Sequence, residues 1–316
     1  MSRLEAELND RGGVEHALSV RNGERPHLAG IVHAHRFLLQ LPPVTLRLAA
    51  FGRAKGRRPG WVRAACDFTY RGASADGRIR FRAPRLRDVA PDVFTGQADL
   101  FRDAIDPDLT AFSLLAQGVR DVVDEDAESE RIDPGFLRVF ARLGDSLFEG
   151  ASHLVLEGLQ AESSSLELDH LAPQHARALL DRTPPPERVR VSGTLTLLRA
   201  KGASFEVTTR EGVVRCALRH GEISSLGALF GGGVAVNGTA VFRPSGRLLR
   251  VDADVVERMR QGDDLFSRVP AALSLPQQLL DAQPTSSARG SWLRDVVGAW
   301  PGDEPLDELL AELRGA

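Results

Sequence analysis

The chain has 316 residues, of which 42% are hydrophobic and 26% are charged, and this length is sufficient for two domains with separate cores. The 40 basic and 43 acidic residues give a net charge of −3, so whole-chain charge offers no argument for binding nucleic acid or an anionic membrane. The only two cysteines, Cys66 and Cys216, exclude a disulfide framework and predict two buried, reduced thiols. Because neither an apolar leader nor a run of membrane-spanning length occurs, we expect a cytoplasmic protein without a membrane partner.

Residues 1–25 are polar and contain glycine, which predicts a flexible N-terminus. An α+β domain is expected over residues 26–183. Its first part favours strands, because residues 44–51 alternate between polar and apolar side chains and two further strand-like runs follow at 61–70 and 78–82. These segments together predict a small antiparallel sheet.

The most basic loop of the chain spans residues 52–60 and is followed by Trp61. Such a loop beside an aromatic side chain could hold a nucleic-acid backbone and stack a base. A solvated hairpin tip with Trp61 packed inward fits the same residues, and we favour it. The candidate phosphate contacts in the loop are Arg53, Lys55, Arg57 and Arg58.

Two histidines, His33 and His35, would share one face of a strand and could begin a metal site. No Cys, His or carboxylate cluster nearby completes such a site, so we expect partly exposed histidines and no metal.

Two Asp-Pro pairs mark the expected starts of helices. Asp106-Pro107 and Asp133-Pro134 each combine a capping residue with a proline at the first helical position, and apolar residues at helical spacing follow both pairs. The acidic run at 121–130 ends the first helix and is expected to be an exposed linker.

The end of the predicted α+β domain contains strands at 153–157 and 164–168 and a helix at 171–180. Consecutive prolines within residues 182–187 can neither continue a helix nor donate to a strand ladder. They therefore mark the clearest domain boundary in the sequence.

Residues 187–257 predict an OB-like, five-stranded Greek-key β-barrel. Three strands, a short helix around Leu226 and two further strands occur in that order, and Gly193 would let the first strand bend sharply enough to serve both halves of the barrel. The expected strands are 188–198, 205–209, 213–218, 234–242 and 248–256.

The barrel sequence is basic, with ten Lys or Arg against six acidic residues between positions 187 and 254. OB-folds that bind single strands stack bases on aromatic side chains, but the five strands offer only Phe205 and Phe242, of which alternation places at least one inside. This favours either weak, nonspecific nucleic-acid binding or a protein contact. The candidate phosphate contacts on the barrel are Arg199, Lys201, Arg210 and Arg215, with Arg243 and Arg247 nearby.

Sequence motifs that carry catalysis are not found. The chain has no phosphate-binding glycine loop, no zinc-protease motif, no Cys-x-x-Cys pair and no nucleophile elbow. We therefore expect a protein that is not an enzyme and that uses neither a metal nor a cofactor.

Beyond the barrel, the composition of residues 258–297 predicts a linker. Residues 298–316 predict a short acidic helix that starts near Pro305 and carries one leucine stripe. Because so short a helix is marginal alone, it must dock either on the chain's own N-terminal domain or in the groove of a partner, with Trp300 as anchor. Both alternatives remain open on these residues.

The run Trp300-Pro-Gly-Asp-Glu304, followed by Leu306, Leu309 and Leu310, resembles the C-terminal tails of bacterial antitoxins that are encoded beside PIN-domain ribonucleases. The resemblance implies a toxin–antitoxin partnership in which the tail lies across the nuclease and its acidic residues approach the metal-binding groove. Typical antitoxins are far smaller and join the tail to a DNA-binding module, so the body of this chain departs from the pattern. The expected partner-binding residues are Trp300, Asp303, Glu304, Leu306, Leu309, Leu310 and Leu313.

Overall fold

The computed structural model contains both helices and strands, organised as a helix-covered antiparallel sheet followed by a closed five-stranded barrel. All the described residues belong to one compact unit, residues 1–272. The structure describes residues 13–23, 25–26, 28–54, 56, 59–74, 78–94, 105–159, 165–199 and 203–272. The predicted C-terminal helix at 298–316 lies outside them.

The sheet is antiparallel throughout, in the order β3-β4-β1-β5-β6, with the short β2 paired to β1. Its strands are β1 (Val14–Asn22), β2 (Arg25–Pro26), β3 (Thr69–Ala73), β4 (Ile79–Ala83), β5 (His153–Glu157) and β6 (Ser165–Asp169). The strands predicted at 78–82, 153–157 and 164–168 are thus confirmed within the described residues.

The central strand β1 corrects the prediction that residues 1–25 form a flexible N-terminus. From His16 to Val20 every residue is buried, including the polar His16 and Ser19. A strand covered on both faces does not alternate between polar and apolar residues, so the period of two that marks a half-buried strand is missing from the sequence.

Seven helical segments are described beside this sheet, and the longer ones share a core with it. Helix α1 contacts β1, α5 and α6, while α7 contacts α5 and α6. The segments are α1 (Leu28–Phe51), α2 (Gly60–Ala65), α3 (Leu86–Val89), α4 (Pro91–Phe94), α5 (Ala111–Val123), α6 (Pro134–Phe148) and α7 (Ala172–Arg182).

Helix α1 replaces the strand predicted at 44–51 and includes both histidines that were placed on a strand. Leu41 and Leu48 contribute to the main core, whereas Leu46 belongs to a second buried cluster. A helix that is apolar on two sides lacks a simple amphipathic period. Pro42 and Pro43 lie inside this helix, and they made a helix harder to predict from the sequence because proline usually breaks one.

The strand predicted at 61–70 is also wrong. Residues Gly60–Ala65 form a helix that buries Val62 and Ala65, one turn apart, and β3 begins only at Thr69. Trp61 packs against Phe51, with ring centroids 5.7 Å apart, as expected. The preceding loop is not the predicted hairpin tip, because it joins two helices, α1 and α2.

One of the two predicted Asp-Pro helix starts is confirmed. The Asp133 carboxylate accepts a hydrogen bond from the Phe136 backbone N–H at 2.8 Å and caps α6. At the other pair the helix begins later, because Thr110 caps α5 and the Asp106 carboxylate instead accepts from the Asp108 N–H in the preceding turn.

The barrel follows the sequence prediction closely. Its strands are β7 (Glu187–Arg199), β8 (Ser204–Thr208), β9 (Val213–Leu218), β10 (Gly233–Phe242) and β11 (Leu248–Arg258). Their order around the closed barrel is β7-β8-β9-β11-β10, and only β9 and β11 pair in parallel. The predicted short helix is a 3-10 helix, Ile223–Leu229.

Gly193 lies where β7 passes closest to β8. A Cβ atom at this position would lie 2.3 Å from the Thr208 carbonyl oxygen, so only glycine allows this approach. This close contact is consistent with the sequence interpretation that Gly193 lets the first barrel strand bend sharply.

The first part of the predicted linker packs on the barrel. The 3-10 helix Asp263–Phe266 lies against β7, where Ser192 Oγ donates to the Asp263 carbonyl oxygen at 2.5 Å. Arg190 donates from Nη2 to the Asp263 carboxylate at 2.8 Å and lies over the Phe266 ring. The chain therefore stays packed on the barrel as far as residue 269, whose N–H donates to Glu211.

Candidate functional site

The barrel interior is filled by side chains. Phe205 belongs to the barrel core and Phe242 is buried as well, so neither ring is available at the surface for stacking a base. The chemistry available for binding at these strands therefore comes from their outward-facing charged residues.

The outward arginines of the barrel meet an acidic segment of the α+β domain, residues 126–130. Arg243 donates from Nη1 to the Glu128 carbonyl oxygen and from Nη2 to Glu130 Oε1, each at 2.8 Å. Arg215 on β9 binds the other carboxylate oxygen of Glu130, and Arg247 lies 3.6 Å from Glu128. We call these three arginines and two glutamates the arginine–glutamate clasp.

The Glu130 carboxyl group is the most strongly held acid of this clasp. Burial by itself would raise its pKa, but the hydrogen bond and the positive charge of Arg215, together with those of Arg243, outweigh burial and lower the pKa below its ordinary value of 4.5. Glu130 is therefore ionised at neutral pH and stays so into mild acid.

A second, buried contact joins the same two parts of the chain at Asp133. Arg250 on β11 donates from Nη2 to Asp133 Oδ2 at 3.3 Å, and the two side chains are only 9% and 4% exposed. The Ala54 N–H donates to the same oxygen at 3.3 Å. Asp133 thus connects the loop after α1, the start of α6 and the barrel.

The prediction that the acidic run at 121–130 is an exposed linker is correct for exposure, since five of its six acidic residues are exposed, but these contacts show that the run is bound to the rest of the chain. Asp121 is buried and accepts hydrogen bonds from Arg131 and Ser129, while Glu128 and Glu130 bind the barrel. A run of like charges ordinarily faces water. Here the run binds arginines of the barrel that lie more than 80 residues away in sequence. The local sequence pattern of the run cannot predict such a distant contact.

Comparisons with protein-family models, curated proteins and solved structures gave no match to this chain. Its functional residues are therefore inferred from chemistry and geometry alone.

The structure separates the predicted phosphate contacts of the barrel. Arg215 belongs to the clasp, Arg199 lies 3.7 Å from Glu206 across β7 and β8, and Arg210 lies 3.6 Å from Asp264. Each of these arginines has a carboxylate partner. Lys201 lies outside the described residues.

The predicted basic loop at 52–60 meets the barrel at Asp133. The Ala54 N–H and the buried Arg250 both donate to that carboxylate, so the backbone of this loop touches the barrel at a buried acid. Arg53 is partly exposed there. Lys55, Arg57 and Arg58 lie outside the described residues, as do all the predicted partner-binding residues from Trp300 to Leu313.

A buried polar group in the α+β domain escaped the sequence analysis. His16 Nε2 lies 3.1 Å from Thr110 Oγ1, which in turn lies 3.1 Å from Ser113 Oγ. All three residues are buried, and the His16 ring packs against Phe81 and Phe112. Burial lowers the pKa of His16 to about 4, so the ring is neutral and its role is structural.

The remaining nucleophilic and metal-binding groups give no site in the described residues. Burial raises the pKa of the Cys216 thiol, which suppresses its reactive thiolate form. Within the described ranges, no three His, Cys, Asp or Glu residues are grouped so that they could hold a metal ion. Among the helices in the same ranges, none is long and apolar enough to cross a membrane.

One signal in the sequence pointed to the clasp. The acidic run at 121–130 and the net positive barrel have opposite charges, and such surfaces attract each other. Residue type alone does not say that they meet within one chain, so Glu128, Glu130, Asp133 and Arg250 were missed as a connected set.

Proposed function

We propose that this chain is a non-enzymatic binding protein that captures a protein partner through residues 298–316. The supporting observation is the sequence of that segment, where five acidic residues and one arginine lie between positions 303 and 316. Its four leucines at helical spacing would give one apolar face for a groove, with Trp300 as an aromatic anchor.

The partner that the resemblance favours is a PIN-domain nuclease toxin. The acidic residues Asp303 and Glu304 precede the leucine stripe, as in antitoxin tails that approach the metal-binding groove of such nucleases. In this proposal the chain is an antitoxin-like or regulatory subunit, and the large body positions the capturing segment.

We further propose that the barrel is OB-like. Numbered along the chain from β7, its strands follow the order 1-2-3-5-4, with a helix between the third and the fourth. The parallel pairing of β9 with β11 accompanies this order and supports the assignment.

The test of partner capture compares the full chain with a version that ends at Gly290, each used as bait in lysate of the native host. The expected result is a nuclease recovered by the full chain alone, whose RNA cleavage the full chain inhibits. Recovery of the same nuclease by both versions would contradict the proposal, because residues 291–316 would then be dispensable.

A second candidate function is nucleic-acid binding, and one observation favours it. The loop that contains the partly exposed Arg53 touches the barrel at Asp133, where the Ala54 N–H and Arg250 share one carboxylate oxygen. A basic surface binds phosphate backbones with a strong dependence on salt. Titration of a labelled oligonucleotide at low and high salt tests it, and absence of binding at low salt would remove it.

A further inference from the structure

The two contacts between the α+β domain and the barrel differ in their exposure to water. The Asp133–Arg250 pair is buried, whereas in the clasp Glu128 and Glu130 are 48% and 47% exposed and Arg247 is 76% exposed, with Arg243 the least exposed at 17%. Water and dissolved ions can compete for exposed ion pairs but hardly for buried ones. The clasp can therefore open while Asp133 and Arg250 keep the barrel attached.

An open cleft lies directly beside the clasp. It has a volume of about 420 Å³, and two of the clasp arginines, Arg243 and Arg247, are on its wall. The rest of the lining includes Leu248, Val269 and Pro270. An extended anionic chain can thus reach the guanidinium groups from the solvent side.

The clasp glutamates bind the arginines as phosphate groups would. A guanidinium group donates through a planar fork that fits carboxylate and phosphate oxygens alike. Arg243 donates from Nη2 to the Glu130 carboxylate, and its Nη1 donates to the Glu128 backbone carbonyl oxygen at 2.8 Å and lies 3.4 Å from the Glu128 carboxylate. Arg215 donates to the other carboxylate oxygen of Glu130. Three arginines from β9 and the β10–β11 hairpin are therefore neutralised by acids of the same chain.

We propose that Arg215, Arg243 and Arg247 form a binding surface for the phosphate backbone of a single-stranded nucleic acid, which Glu128 and Glu130 occupy in place of phosphates. This inference rests on the second candidate function and is independent of partner capture by residues 298–316. Because Phe205 and Phe242 are buried, binding depends on the backbone and not on the base sequence. The acidic segment sets the affinity by competing for the arginines.

The experiment measures fluorescence anisotropy of a labelled oligothymidylate with the full chain and with Glu128→Gln/Glu130→Gln. The double variant is expected to bind about tenfold more tightly at low salt, because the arginines are released from their carboxylates. Three newly available arginines should also steepen the slope of log K against log salt by about 2, at roughly 0.7 for each phosphate contact on a single strand.

A matched control separates the local effect from overall charge. Asp124→Asn/Glu149→Gln removes two exposed acidic charges for which the structure shows no contact with the barrel, and it is expected to bind as the wild type does. Adding Arg215→Gln and Arg247→Gln to the clasp variant should abolish its gain. The single substitution Glu130→Gln should give a smaller gain if the double variant folds poorly by circular dichroism.

Four results would overturn the inference. If the clasp variant binds the oligonucleotide no more tightly than the charge control, removing the carboxylates has not made the arginines available. If the gain in affinity persists after Arg215 and Arg247 are replaced, it arises from other residues. If the wild type binds the oligonucleotide as tightly as the clasp variant, Glu128 and Glu130 do not compete with phosphates for the arginines, although the chain binds nucleic acid. No binding by either chain would refute both, and partner capture would be unaffected.

Discussion

Asp133 connects more parts of the molecule than a helix cap usually does. Its Oδ1 caps α6, and its Oδ2 accepts from the Ala54 N–H and from Arg250 of the barrel. The sequence predicted the cap, because Asp followed by Pro at a helix start is a local signal. Its partner Arg250 lies 117 positions further along the chain, a separation that no local pattern spans.

Replacing Asp133 with Ala should lower the free energy of unfolding by about 2 kcal/mol, because it removes the cap of α6 and one of the two carboxylates that bind the buried Arg250 guanidinium, the other being Asp252. Urea denaturation measures this change. Asp124→Ala, at an exposed position, should change the free energy of unfolding by less than about 0.5 kcal/mol. A loss below about 1 kcal/mol for Asp133→Ala would contradict the role assigned to the pair.

His16 makes stability depend on pH. Its pKa is about 4 in the folded chain and 6.5 ordinarily, so between these values the unfolded chain takes up a proton that the folded chain excludes. The free energy of unfolding should therefore be fully maintained above pH 6.5 and fall by up to about 3 kcal/mol as the pH drops to 4.

The measurement for His16 is urea unfolding at several pH values between 7 and 4 for the wild type and for His16→Gln. Because glutamine does not titrate, the variant should lose much of the decline across this window. An unchanged pH dependence in the variant would show that other groups cause it.

At the scale of elements, the barrel strands were predictable and helix α1 was not. Val191, Leu195 and Val207 belong to the barrel core and lie on strands where apolar residues alternate with polar ones, so the period of two is visible in the sequence. Helix α1 contributes to two separate buried clusters and contains Pro42 and Pro43, so neither a helical period nor a helix-compatible composition is apparent. Tertiary packing therefore stabilises a helix in a segment whose local sequence does not favour one.

Gly193 tests the geometry of the barrel. Gly193→Ala should destabilise the chain by about 3 kcal/mol, because a Cβ would lie 2.3 Å from the Thr208 carbonyl oxygen and 2.8 Å from Val207 Cγ1. Thermal unfolding followed by circular dichroism measures the effect.

The control for this prediction is Gly227→Ala in the 3-10 helix. A Cβ there meets nothing within 4 Å, so its unfolding temperature should stay close to that of the wild type. Equal effects of the two substitutions would contradict the close approach of β7 and β8 at Gly193.

At the scale of the whole molecule, the α+β domain and the barrel are joined by polar contacts, one buried and several exposed. The consecutive prolines at 184–186 lie between the end of α7 at Arg182 and the start of β7 at Glu187, where no helix or strand hydrogen bond needs their backbone nitrogens. In the sequence, the acidic run at 121–130 and the basic barrel residues that bind it were visible only as separate charged segments. Recognising them as partners required the fold that brings Glu130 to Arg215 and Arg243.

The central claim is that the leucine stripe of residues 298–316 captures a partner, and point substitutions in the full chain test it most directly. Leu309→Ser/Leu310→Ser removes two apolar contacts, whereas Glu308→Gln/Glu312→Gln alters the opposite face and serves as the control. With the nuclease recovered by the full chain, biolayer interferometry should show that the serine variant loses at least about tenfold in affinity while the glutamine variant stays within about threefold of the wild type. Equal affinities of the wild type and the serine variant would contradict the account.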